Sequence, residues 1–129
     1  MSLSTADRLE IHELISRHGH LVDDHRLDLD LLMTEDGAYD VTDFGLGEVR
    51  GLPALTELFE AAPGAQPRGH HVTNVLVTPD PSSPDRATVR SKGLAVMPDG
   101  RADTVTYADV VVRTGAGWRI ALRKIIRVP

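Results

Sequence analysis

The chain has 129 residues, 41% hydrophobic and 26% charged, with a net charge of −5, which is enough for one compact domain over residues 1–129 and leaves no room for a second. Its 14 basic residues are scattered along an acidic chain and give no electrostatic footprint for nucleic acid. No apolar run approaches a membrane span and M-S-L-S-T-A-D-R lacks the regions of a signal peptide, so a cytoplasmic location is expected. With no cysteine present, disulfides, thiolate metal sites and cysteine nucleophiles are excluded, and the expected partner is a small molecule.

The first helix opens at Ser4, three residues before Asp7, in the manner of a capping box with a short acid. Ile11, Leu14, Ile15, His18, Leu21 and Val22 then recur at helical spacing. His18 therefore lies inside the apolar stripe, either as a buried histidine bonded to a carbonyl or as one facing a ligand cavity. His12 and His20 fall on the polar side. The stretch D-D-H-R-L-D, residues 23 to 28, reads as a helix end and a new N-cap at Asp28, leading into the apolar L-D-L-D-L-L-M.

T-E-D-G reads as a turn, and A-Y-D-V-T-D-F, with Tyr39, as a strand or irregular hairpin ending in the glycines from Gly45 to Gly51. L-P-A-L-T-E-L-F-E-A-A has Pro53 in its first turn and Leu55, Leu58 and Phe59 on one side, so a short helix is expected there. The glycine- and proline-containing A-P-G-A-Q-P-R-G links this helix to the strand-forming half of the chain.

From residue 70 onward the pattern changes to strands: H-H-V-T-N-V-L-V-T, R-A-T-V-R-S-K-G-L-A-V-M, D-T-V-T-Y-A-D-V-V-V-R and W-R-I-A-L-R-K-I-I-R-V, joined by P-D-P-S-S-P-D, P-D-G and T-G-A-G. Connections this short predict an antiparallel meander. Helices first and strands after them predict an α+β domain with helices on one face of a sheet. Strict alternation puts His70, Val72, Asn74 and Leu76 on one face and His71, Thr73, Val75 and Val77 on the other. In the last strand it puts Trp118, Ile120 and Leu122 in one row, with Arg119, Arg123 and Arg127 opposite, beside Ala121 and Ile125. That mixed outer face predicts either a solvated surface or a homodimer contact through the sheet, and the dimer is favoured.

Five segments in order carry a resemblance over roughly residues 8 to 127: I-H-E-L-I-S-R-H-G-H-L-V-D-D-H-R-L-D, M-T-E-D-G-A-Y-D, G-E-V-R-G-L-P-A-L, H-H-V-T-N and G-W-R-I-A-L-R. Together they resemble the SnoaL-like members of the NTF2-like superfamily, near scytalone dehydratase and the small subunits of ring-hydroxylating dioxygenases. The resemblance implies a cone in which a curved mixed or antiparallel sheet wraps the N-terminal helices around a largely apolar cavity. Residue by residue, it implies that Asp23 and His70 match the family's acid and base positions. A carboxylate at one ring nitrogen fixes the tautomer and leaves the other nitrogen to accept a proton. On an ideal wheel continued from Ile11, Asp23 lies off the apolar stripe and reaches a cavity only if the helix ends there. The dehydratase pattern has a tyrosine where this chain has Val22, and a second histidine on a later strand, where this chain has none after His71.

The expected activity is that of a cofactor-free lyase, isomerase or cyclase acting on a small hydrophobic carbonyl compound. Asp23 and His70 are its candidate catalytic pair, and His18, Tyr39, Phe59, Asn74, Tyr107 and Trp118 are the candidate substrate contacts. The alternative is a noncatalytic ligand-binding or assembly module on the same fold. No metal is expected, because H-E-x-x-H is missing and His70 and His71 diverge across a strand. G-L-G-E-V-R-G lacks the lysine and serine of a phosphate loop, and no serine sits in a nucleophile elbow.

Overall fold

The computed structural model describes residues 3–61 and 66–129. Helix α1 spans Thr5–Asp23, β1 Met33–Asp40, β2 Glu48–Arg50, α2 Leu52–Glu60, β3 Gly69–Asp80, β4 Ser83–Val96, β5 Ala102–Thr114 and β6 Gly117–Arg127. The capping box is complete: the Ser4 hydroxyl accepts from the Asp7 amide and the Asp7 carboxylate accepts from the Ser4 amide. The expected stripe is buried from Ile11 to Val22. Downstream of Asp28 the chain makes a single 3₁₀ turn over Leu29–Leu31, and T-E-D-G is not a turn between elements but an irregular part of β1, where the pairing with β6 slips between Met33 and Ala38.

The six strands form one open sheet in the order β2-β1-β6-β5-β4-β3. From β3 to β6 it is the expected antiparallel meander. β1 joins β6 in parallel, which makes the sheet mixed. The sheet curves over α1 and α2, and the apolar side chains between them include Ile11, Leu14, Ile15, Leu32, Leu55, Val89, Val111 and Ile120, each no more than 2% exposed. Each side chain of this size contributes about 1.5–3 kcal/mol on leaving water.

Two β-bulges reset the alternation. In β6, Val110 pairs with Leu122 and Val111 with Ile120, so Ala121 is left over. Beyond it the phase inverts: Leu122 leaves the inner row and Arg123, expected outside, turns into the core at 1% exposure. There it meets Asp109, with Nε donating to Oδ1 at 2.8 Å and Nη2 to Oδ2 at 2.9 Å. Burial works against the charge on Arg123, and the carboxylate of Asp109 more than compensates. In β3, Asn74 and Val75 together stand opposite Ser91, between the pairs Thr73–Lys92 and Leu76–Arg90. Asn74 takes a left-handed conformation with φ 56°, Val75 and Val77 pack on the core, and Asn74 and Leu76 are exposed. The expectation that Asn74 shares the face of His70 is thereby corrected.

Removing one member of a buried ion pair strands the other. Asp109→Ala is expected to cost about 3–5 kcal/mol in urea denaturation. Asp109→Leu combined with Arg123→Met is expected to cost less than the single change, because no unpaired charge is left inside.

Candidate active site

The last turn of α1 delivers Asp23. The helix closes with the Asp24 amide donating to the His20 carbonyl at 2.9 Å, the His25 amide to Val22 at 3.1 Å and the Arg26 amide to Leu21 at 2.8 Å, a Schellman-type ending. His25, at φ 54°, occupies the left-handed position that usually belongs to glycine. Asp23 is the last helical residue before the cap, and it lies one turn beyond Gly19 on the side of α1 that faces β3.

The carboxylate of Asp23 holds His70 by two bonds. Oδ2 accepts from the His70 backbone amide at 2.8 Å, and Oδ1 pairs with Nδ1 at 2.6 Å. Both side chains are about four-fifths shielded, with 20% and 24% of their surface exposed. With Nδ1 engaged by a carboxylate, Nε2 is the nitrogen left to accept a proton. Gly19 allows this approach: a Cβ there would lie 2.9 Å from the His70 carbonyl oxygen, so any side chain would push α1 off β3.

His70 borders three cavities, one of about 370 Å³ shared with Ser16, His20, Asp23, His71, Val72 and Thr73. Of the other two, the larger, about 340 Å³, is lined by Val22, His25, Leu27, Phe59, Glu60, Gln66, Pro67 and His70, and its size falls at the lower end of the range for small-molecule sites. The smaller, about 10 Å³, lies among Ile15, His18, Gly19, His70, His71, Val72, Tyr107 and Arg123, roughly the space of a single water.

His18 is buried and its Nε2 is hydrogen-bonded to the Tyr39 hydroxyl. The two rings stack at 5.8 Å between centroids, and Phe59 meets both edge-on at 6.3 and 5.5 Å. Burial, then the charge of Arg123 and the proximity of His70, holds the His18 imidazole well below its ordinary pKa, so it is neutral. Tyr107 lies flat over the Arg123 guanidinium at 4.0 Å, on the side where Gly93 has no side chain to obstruct its ring. Burial raises its hydroxyl above the ordinary value for tyrosine.

Of the expected substrate contacts, Phe59 lines the larger cavity and His18 and Tyr107 the smaller. The Tyr39 hydroxyl is engaged by His18. Trp118 is buried, as its row predicts, but elsewhere: its indole donates to Asp7 at 3.2 Å and Arg113 covers it at 4.8 Å, and it lines neither cavity. Asn74 is on the outer side of its bulge. Sequence reasoning missed Arg123, Asp109, His25 and Glu60. Asp109 had a signal, since alternation places it in the row of Tyr107 and Val111, where a carboxylate demands a cation. Among the described residues no three histidine or carboxylate side chains group as a metal set, and no helix is long and apolar enough to cross a membrane.

A model of the SnoaL-like domain matches residues 4–124. The chain belongs to the SnoaL-like family. A structure from Novosphingobium aromaticivorans, described as a candidate aromatic ring hydroxylase, is 30% identical with a TM-score of 0.80, covering 99% of this chain and 93% of its own. An NTF2-like protein with a cystatin-like fold from the same organism is 28% identical with a TM-score of 0.73, at 93% and 80% coverage. A candidate scytalone dehydratase, again from that organism, is 23% identical with a TM-score of 0.75, at 93% and 83% coverage, a likeness of fold alone. No curated protein is significantly similar to the chain. The SnoaL-like cone is thus the architecture of this chain.

Keeping His18 neutral has a pH signature. The unfolded chain protonates this histidine near its ordinary pKa of 6.5, while the folded one resists until well below it. Stability from this group is therefore complete above that value and falls with acidification, by up to about 1.4 kcal/mol per pH unit. His18→Gln, which retains an acceptor for Tyr39, is expected to flatten the decline of melting temperature between pH 7 and pH 5.

Proposed function

We propose that this SnoaL-like protein is a cofactor-free lyase, isomerase or cyclase that moves a proton next to the carbonyl of a small, neutral, largely apolar compound. The observation that carries the reading is the double hydrogen bond from Asp23 to the amide and ring of His70 at the wall of a 340 Å³ pocket. His70 Nε2 accepts the proton α to the carbonyl, and Asp23 keeps the ring in the tautomer and orientation this needs. The Tyr107 hydroxyl, beside His70 in the inner cavity, donates to the enolate oxygen as charge develops there. Val22, Leu27, Phe59 and Pro67 supply the apolar wall, and Glu60 is the formal charge that this pocket adds, which favours an uncharged substrate over an anionic one.

A second copy of the chain docks, in this reading, on the outer sheet face, where Val110, Val112, Leu122 and Ile126 are only partly covered. Sedimentation equilibrium is expected to give twice the mass of the chain, and Leu122→Glu to shift it to one.

Deuterium exchange at the α-carbons of cyclic ketones such as 1-tetralone, followed by NMR, tests the chemistry. Wild type is expected to accelerate exchange, with His70→Ala and Asp23→Asn each slower by about 10²–10⁴-fold. Equal rates for all three proteins would overturn the enzyme and leave a ligand-binding or assembly module.

A further inference from the structure

Resting on that reading, we propose that His25 is a second catalytic residue of the pocket, the acid that protonates the leaving oxygen of a β-hydroxy carbonyl substrate. Three observations on its own position lead there. His25 takes φ 54° at the residue that ends α1, a conformation glycine adopts without cost and other residues at some expense. His25, an exposed residue, lines the 340 Å³ pocket together with His70. Its backbone amide closes the helix on Val22, whereas its ring forms no hydrogen bond or ion pair among the described residues, unlike His18 on Tyr39 and His70 on Asp23.

The chemistry of the pocket sharpens the assignment. An elimination needs a base at the α-carbon and an acid at the departing oxygen. Val22, Leu27, Phe59 and Pro67 cannot exchange a proton, and Gln66 does not titrate. His18 is buried, already bonded and absent from this pocket. Glu60 is an acceptor when ionised. The imidazole of His25 is then the group besides His70 whose ring nitrogens can both donate and accept a proton.

The step balances on these two residues. His70 Nε2 takes the α-proton, and the electron pair of the broken C–H bond becomes the new carbon–carbon double bond. The β-carbon–oxygen bond breaks with its electrons on oxygen, and His25 gives that oxygen a proton. Water leaves, the product is the α,β-unsaturated carbonyl compound, and solvent returns one proton to His25 and takes one from His70.

Stability and activity should separate at this residue. If His25 is only a helix ending, His25→Gly and His25→Asn, both suited to a left-handed conformation, should leave function as it was. The expected result is instead a melting temperature equal to wild type or up to roughly 4 °C higher, with elimination of water from 3-hydroxycyclohexanone slowed about a hundredfold. Ketone α-exchange, which needs the base alone, should fall less than tenfold, and added imidazole should restore elimination in His25→Gly. Wild-type exchange with elimination unaffected by His25→Gly overturns this inference and leaves the proposed base intact. So does wild-type exchange without elimination, an equal loss of both reactions in the variant, or a marked drop in its melting temperature. Absence of exchange by wild type overturns the proposed base and the acid with it.

Discussion

The grip of Asp23 on His70 is the constraint around which the rest is arranged. One oxygen takes the backbone amide at the start of β3 and the other takes the ring, so the same carboxylate docks a helix end onto a sheet edge and aims an imidazole. Shifting either element would break both bonds. The close packing of Gly19 under the His70 carbonyl follows from this, because the bonds require α1 and β3 to approach to a distance no side chain allows.

Behind this clamp the interior is unusually polar for so small a core. His18 with Tyr39, and Arg123 with Asp109, place four hydrogen-bonding side chains where apolar ones would pack more simply. Each is satisfied by its partner, which keeps the cost of desolvation bounded. The arrangement makes the inner wall of the cavities rigid and directional, since rings and a planar guanidinium stack in fixed order from Phe59 through Tyr39 to His18 and from Tyr107 to Arg123. Ser91 is the exception, a buried hydroxyl with no partner among the described residues, opposite the β3 bulge and paired in register with Tyr107.

Much of this was legible in the sequence. The stripe from Ile11 to Val22 and the turn residues between strands specify the helix and meander through local periodicity alone. The five ordered segments carried the cone and the placement of Asp23 and His70, which the wheel by itself would have left in solvent. What stayed hidden depended on single inserted residues. Asn74 and Ala121 each shift a strand by one position, and period-two reasoning then assigns every later side chain to the wrong face: Leu76 inward, Arg123 outward. The parallel pairing of β1 with β6 was equally invisible, because it joins segments some eighty residues apart. Trp118 shows a different limit: alternation establishes that it is buried, but only tertiary structure says at which end of the cone.

That parallel pairing also sets when the site can come into being during synthesis. Tyr39, made in the first third of the chain, lies in register with Arg123, six residues from the C-terminal end. Within the sheet, the strands that support His70, Tyr107 and the inner cavity join β1 and β2 only through β6, the last of the six strands in chain order. β1 therefore has no partner on that side until β6 is made, although α1 can already dock on β3 through Asp23 and His70. Non-local closure of this kind slows folding relative to a locally wired bundle, and it makes β6 the strand on which the continuity of the whole sheet depends.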